Sequence, residues 1–450
     1  MLNEQNIKTE QKLERRLGVW QASSLNMINM VGIGPFVLIP VVFSIMNGHN
    51  ILLPWIAGAV IAILDSFIWA ELGAKYPLAG GTYNFLREAY NDRGLGRFMS
   101  FLFICQVMVQ APLVIASGAI GFSQYFSYLI PLSVVWQKVV SGIVVIALTA
   151  LLYRKIQDIG KISILLWIGV IGTIVWLIFG GLTHFHTDMF FSAAKFDGNL
   201  SALFFAALGH ASVQTIYCFL GYYNVCQVGG EAEKPETTIP RSMFISVAGI
   251  TILYLLLNIS IAGVIPAQDA MHSKFIVSNF VEMLYGKNAA TITTLLILWI
   301  TFASLFSVML GYSRVPYAAA NDGNFFRIFA RVHPTKHFPH ISLLVLGCIA
   351  FVFSLLFRLK EVIEAIIAMR ILVQFIGQAV GLMLLHKSRP RGEFPFRMIL
   401  YPIPVIISII FWLLVFYSTG NGFMISGITM IGISAGLFFL RKGLNSKNVT

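Results

Sequence analysis

Long apolar runs separated by short polar segments dominate the chain. No Asp, Glu, Lys or Arg occurs between Arg16 and Asp65, between Arg97 and Lys138, or between Arg397 and Arg441. A bilayer crossing needs about 20 apolar residues, so each of these runs holds one or two spans. Twelve spans follow: residues 20–46, 51–74, 97–129, 134–153, 162–182, 201–230, 239–264, 288–317, 341–357, 362–386, 398–419 and 422–440. The alternating pattern of a membrane barrel is absent. The sequence predicts an all-α polytopic membrane protein, with residues 1–450 forming one transmembrane domain. Ser273–Gly286 has helical apolar spacing and is predicted to lie on the outer surface.

Composition agrees: 57% of residues are hydrophobic and 11% charged. The net charge of +12 at first suggests a nucleic-acid partner. Sorting the basic residues by span removes that reading. With the N-terminus inside, 24 Lys and Arg fall on the inner side, 6 on the outer side, and Arg370 lies within span 10. The positive-inside rule then puts both termini in the cytoplasm, with residues 1–19 as a cytoplasmic tail. No cleavable signal peptide is expected, because the first 16 residues are polar and the apolar run after them is too long for a signal core. Cys105, Cys218, Cys226 and Cys348 lie in apolar runs without disulfide or metal spacing and are expected to pack as small apolar residues. Short tails and lean loops suggest a prokaryotic inner membrane. Neither a nucleophile with a base nor metal ligands at usable spacing occurs, so an enzyme is not expected.

Span 1 contains "NMVGIGPFVLIP", residues 29–40, in which Gly32, Ile33, Gly34 and Pro35 interrupt a helix that must satisfy its own backbone in lipid. A structural kink is one explanation. A discontinuous helix is the other: its unwound backbone would line a ligand cavity, and the N-terminal end of its second half would meet an anionic group. The second explanation requires a partner break in an inverted repeat, spans 1–5 (residues 20–182) against spans 6–10 (residues 201–386), with two further helices in residues 398–440. Span 6 supplies one, because Gly221 sits mid-span beside Tyr222, Tyr223 and Asn224.

Four segments carry a family resemblance: "GIGPF" in span 1, "ELGAKYPLAGGTYNFLREAY" (Glu71–Tyr90), "GEAEKPETTIPRS" (Gly230–Ser242) and "GYSRVPYAAANDG" (Gly311–Gly323). In order and at these spacings, the chain resembles the amino acid–polyamine–organocation (APC) superfamily over essentially its whole length. The resemblance implies a secondary transporter working by alternating access, with the substrate on the two breaks. Gly32, Ile33, Gly34 and Pro35 would face a carboxylate; Cys218, Phe219 and Gly221 would supply carbonyls or wall toward an amino group; Phe219 or Tyr222 would act as a gate. Two departures stand out. Pro35 replaces the usual apolar residue, a change shared with some polyamine-carrying relatives. Span 5 also lacks the internal lysine of many sodium-independent relatives; Lys161 lies at its start.

The intramembrane polar residues complete the candidate site. Arg370, Gln374 and Gln378 form one stripe at i, i+4, i+8. Arg370 is expected either to contact an acidic substrate side chain or to pair with Asp65, and pairing is the favoured role for Asp65 over proton coupling. Gln106 and Gln110 place amides on one face of span 3 for side-chain recognition. Ser304 and Ser307 are sodium-site candidates or helix-packing serines. No cofactor is expected beyond a coupling ion, H+ or Na+. Expected partners are a small-molecule substrate and the lipid bilayer, with no nucleic acid and no obligatory protein partner. The leading function is an amino acid symporter or exchanger; the alternatives are a polyamine or organic-cation permease, or a non-transporting nutrient sensor.

Overall fold

The computed structural model describes residues 15–195 and 200–447; residues 1–14 of the predicted tail lie outside them. The chain opens with α1 (Val19–Met30), α2 (Gly34–Ile45), α3 (Leu52–Lys75), α4 (Thr82–Ala89), α5 (Gly96–Leu129), α6 (Val134–Leu152), α7 (Ile156–Thr183) and α8 (Thr187–Ala194). It continues with α9 (Ala202–Phe219), α10 (Asn224–Gln227), α11 (Pro235–Ala262), α12 (Ala267–His272), α13 (Ile276–Tyr285), α14 (Lys287–Tyr312) and α15 (Arg314–Asn321). The last elements are α16 (His340–Leu356), α17 (Leu359–Arg370), α18 (Gln378–Ser388), α19 (Ile403–Ser418) and α20 (Asn421–Lys447).

Among the described residues, nine helices are long and apolar enough to cross a bilayer, and the pair α1 and α2, bent by 44°, makes a tenth. The other two predicted spans correspond to α16 and α19, apolar helices of 17 and 16 residues. The protein is an all-α, multi-pass integral membrane protein. The segment predicted to lie on the outer surface forms the helix α13, whose Ile276, Val277, Phe280 and Val281 are buried while Met283 and Tyr285 are exposed.

Both breaks have local causes. Val31 leaves helical geometry at φ −87°, ψ 77°. Gly34 and Pro35 then open α2; a proline in the first turn fits because its fixed φ suits the helix and its missing N–H would be unpaired there anyway. In the second break α9 ends at Phe219, Leu220 is extended, and Gly221 turns the chain at φ +128°, which favours glycine.

The side of the molecule carrying the basic loops is sealed by backbone and ionic contacts. The amides of Arg16 and Leu17 donate to Glu231 O at 2.8 and 3.0 Å, and Glu233 N returns to Leu17 O at 2.9 Å. The segment entering α1 is thereby strapped to the loop that follows the second break. Beside it, Arg314 Nε and Nη2 each lie 3.0 Å from Glu231 Oε1, both side chains being 1% exposed. This ion pair joins two of the segments that carry the family resemblance. Burial pushes the Glu231 carboxyl upward, against the downward pull of the Arg314 charge. Removing one partner of such a pair costs roughly 3–5 kcal/mol, because the other charge stays buried. Arg314→Ala is therefore expected to abolish recovery of folded protein, whereas Lys75→Ala, which breaks a pair whose Glu393 is half exposed, is expected to be tolerated. Size-exclusion profiles of detergent-solubilised variants check both outcomes.

Candidate functional site

The two breaks meet. A Cβ on Gly221 would sit 2.9 Å from the Asn29 carbonyl carbon and 2.9 Å from Met30 N. The end of α1 and the turn after α9 therefore touch backbone to backbone, an approach that only glycine permits. Several polar groups freed by the breaks have side-chain partners. The Tyr254 hydroxyl, reaching in from α11, lies 2.8 Å from Met30 O and 3.2 Å from Cys218 O. Val225 N donates to Asn26 Oδ1 at 2.8 Å, tying α10 to α1.

Serines of α14 brace α1 directly. Ser304 Oγ donates to Asn29 O at 3.2 Å and Ser307 Oγ to Leu25 O at 2.7 Å. Asn224 Nδ2 donates to Ser307 Oγ at 2.7 Å. The two candidate sodium ligands thus sit against span 1 carbonyls, where their hydroxyls also tie α14 to α1.

Between the breaks lies a cavity of about 60 Å³, with space for about four waters. Span 1 contributes Asn29, Met30, Gly32, Ile33 and Gly34; span 6 contributes Tyr217, Cys218, Leu220, Gly221 and Tyr223. Val114 and Gly118 of α5 close one wall, and Thr301, Ser304, Leu305, Val308 and Tyr312 of α14 another. Arg370 enters at the end of α17. The first amides of α2 are those that a helix leaves without intrahelical acceptors, and Pro35 removes one of them. A Tyr217–Ser117 hydroxyl contact of 3.3 Å spans α9 and α5 beside this cavity. One turn further from the basic side on α2, α5 and α9 lies a second cavity of about 700 Å³, lined in part by Leu38, Ile120 and Gln214.

Arg370 is 3% exposed. Its Nη1 donates to Tyr223 Oη at 2.7 Å and its Nη2 to Tyr312 Oη, while Nε has no protein partner. Among the described residues no carboxylate pairs with it. The expected Asp65–Arg370 pair is therefore not formed. Asp65 of α3 instead accepts four hydrogen bonds: Trp69 Nε1 at 2.7 Å and the Tyr222 hydroxyl on Oδ2, Ser408 Oγ at 3.1 Å and Trp412 Nε1 at 3.3 Å on Oδ1. An aromatic layer separates the two charges, with Trp69 stacked on Tyr223 at 4.4 Å and Phe375 on Trp412 at 3.9 Å.

Of the predicted site residues, Gly32, Ile33, Gly34, Cys218, Gly221, Ser304 and Arg370 converge on the small cavity. The others do not line it. Pro35 is buried in the first turn of α2. Phe219 packs on Tyr254 with ring centroids 5.3 Å apart. Tyr222 is committed to Asp65, and Asn224 to Ser307. Gln106, Gln110 and Gln374 are buried with both amide atoms unpaired by protein groups. Gln110 and Gln106 lie one and two helical turns below cavity-lining Val114 on α5, and Gln374 lies one turn below Arg370, in a π-helical turn spanning Ile371–Gly377.

Three tyrosines, Tyr217, Tyr223 and Tyr312, are site residues that sequence reasoning missed. The one available signal was the pair Tyr222–Tyr223 immediately after the predicted break, of which Tyr223 lines this cavity and Tyr222 faces Asp65.

Comparison with known proteins agrees with this architecture. Residues 17–437 match a family model described as amino acid permease. The chain is 24% identical to the serine/threonine exchanger SteT of Bacillus subtilis (strain 168), over 95% of this chain and 94% of that protein. It is 25% identical to the human cystine/glutamate transporter, over 95% and 86%. It is 23% identical to the branched-chain amino acid permease BcaP of Bacillus subtilis (strain 168), over 97% and 95%. With two touching helix breaks around a buried cavity and a family match over nearly its full length, the chain belongs to the amino acid permease family, within the APC superfamily of transporters.

Proposed function

We propose that this protein is a secondary active transporter of amino acids that carry an anionic side chain, working by ion-coupled symport or by exchange. The observation that carries the substrate class is Arg370: a buried cation on the cavity wall, held by two neutral hydroxyls, with no carboxylate partner among the described residues. An ionised group inside a membrane protein is expensive unless something of opposite sign meets it. A substrate carboxylate meets that need, and a guanidinium presents a planar fork suited to it.

The α-carboxylate is assigned to the first amides of α2, where helix polarity favours an anion. The amino group is assigned to carbonyl oxygens at the end of α9. The same guanidinium disfavours a polyamine. The relatives' names range over serine, threonine, cystine, glutamate and branched-chain amino acids, and at 23–25% identity they leave the side chain open; the glutamate of one of them accords with Arg370. We further propose that the two breaks belong to inverted repeats of five spans, that both termini lie in the cytoplasm, and that the membrane is a prokaryotic inner membrane.

The test is uptake of labelled amino acids and polyamines into proteoliposomes, with imposed proton or sodium gradients and separately with preloaded substrate. Glutamate or aspartate is expected to be the best substrate. Preference for neutral amino acids would overturn the assigned side chain, uptake of putrescine alone would overturn the amino acid reading, and binding without uptake would overturn transport.

A further inference from the structure

Resting on that transport reading, we propose that Asp65 carries the coupling proton and acts through Tyr222 on the span 6 break. Asp65 is 1% exposed and has no cationic partner among the described residues. Its four partners are neutral and come from three places: Trp69 on its own helix, Tyr222 in the break, and Ser408 and Trp412 on α19. A carboxylate at this depth without a counter-ion is costly to keep, and such residues in membrane transporters mark ion or proton pathways.

The donor set also selects the ion. Hard cations are bound by oxygen lone pairs. Two of the four groups facing Asp65 are indole N–H groups, which can only donate. The surroundings therefore suit a bare carboxylate and offer a metal cation poor coordination. Ser304 and Ser307, the other ion-ligand candidates, face span 1 carbonyls and do not touch Asp65.

Proton uptake changes this cage in one specific way. The proton adds to a carboxylate oxygen and makes an O–H that needs an acceptor. Neither indole can accept, so only the Tyr222 or Ser408 hydroxyl qualifies. Accepting from Asp65 forces that hydroxyl to turn its own hydrogen away. Tyr222 lies directly after Gly221, whose backbone touches span 1, and directly before Tyr223, which accepts from Arg370. A proton gained from outside, and released to the cytoplasm after the conformational change, thus loosens and restores the hold on the segment that carries the Arg370 partner. Of the titratable groups around the break, Tyr222 hydrogen-bonds Asp65 and Tyr223 lies next to it, while Arg370 and Tyr312 lie beyond Tyr223, across the aromatic layer. From α19 the cage receives only Ser408 and Trp412.

The experiment compares wild type, Asp65→Asn and Tyr222→Phe in proteoliposomes with L-glutamate as the probe. One measurement is accumulation under an inside-alkaline gradient of one pH unit; the other is exchange against internal L-glutamate without a gradient, across external pH. One proton per substrate supports about tenfold accumulation in wild type, since one pH unit is worth about 1.4 kcal/mol. Asp65→Asn is expected to reach no accumulation above equilibrium, yet to keep exchange with a flattened pH profile. Tyr222→Phe is expected to keep exchange and lose most of the accumulation. The proposal is overturned if Asp65→Asn accumulates like wild type. It is also overturned if both variants, folded by thermal-shift assay, lose exchange and accumulation together, which a purely structural cage would produce. Wild-type exchange without pH-driven accumulation would overturn the proton role and leave the transport reading intact; no transport in any mode would overturn both.

Discussion

Arg370→Gln is expected to lower uptake of an acidic amino acid on the order of 10²- to 10³-fold, the effect of truncating one member of a buried, hydrogen-bonded charge pair. Glutamine keeps much of the volume and can still donate to the Tyr223 or Tyr312 hydroxyl, so the packing around the span 6 break is preserved. The loss should therefore be selective: acidic substrates suffer, and neutral amino acids of similar size are taken up as well as before or better. Parallel uptake of glutamate and glutamine by the variant, at matched protein density in the vesicles, separates this from general damage. An equal loss for both substrates would make Arg370 a scaffold for the two tyrosines, with no part in recognition.

The second large effect is Gly221→Ala. A residue other than glycine at φ +128° stores on the order of 1–3 kcal/mol of backbone strain. The added methyl would also have to occupy space 2.9 Å from the Asn29 carbonyl carbon and Met30 N, main-chain atoms with no rotamer to escape into. The breaks must part, which moves Tyr222 and Tyr223 away from Asp65 and Arg370. The expected result is a protein that still inserts, because the apolar spans are unchanged, but melts earlier and neither binds nor exchanges substrate. Gly436→Ala on α20, where an added Cβ meets nothing within 4 Å, is the matched control and should behave as wild type. A Gly221→Ala protein with normal exchange would show that the backbone contact between the breaks is dispensable.

The contrast between these two positions also explains what was legible in the sequence. Gly32, Gly34 and Gly221 announced the breaks because a helix in lipid has no cheap reason to carry such residues mid-span, and the structure places all three on the cavity. Apolar run length marked the crossings for a similar reason: a bilayer fixes the length of a span independently of its neighbours.

Azimuth was not legible. Asp65 and Arg370 lie mid-membrane on different helices, and depth alone made them look like partners. Which way each points depends on packing against α19, whose Ser408 and Trp412 carry no mark of a polar role in sequence. Tyr222 and Tyr223 could not be told apart because helical phase cannot be carried across a break; Gly221 resets it, and Tyr223 turns to the cavity while Tyr222 turns to Asp65. The serines of α14 were read as facing span 1, and both reach its carbonyls. Gln106, Gln110 and Gln374 were read as recognition residues from their place on one helix face; the face was legible, their depth one or two turns below the cavity was not.

The π turn at Ile371–Gly377 has a consequence for how much this site tolerates insertions and deletions. Such a turn is an α-helix accommodating one extra residue. Each residue of an α-helix advances the phase by about 100°. Deleting a single residue there would restore a regular helix with its flanking turns still in phase, because the wide turn absorbs the extra residue locally; a deletion in the α-helical stretch beside it would instead rotate everything beyond it by that angle. Either Arg370 would swing off the cavity wall, or Gln378 would lose Thr82, whose hydroxyl donates to it at 2.8 Å. The wide turn thus carries a spare residue while Arg370 and Gln378 both keep their partners. The site should therefore tolerate loss of one residue within this turn better than loss of one in the helical stretches on either side.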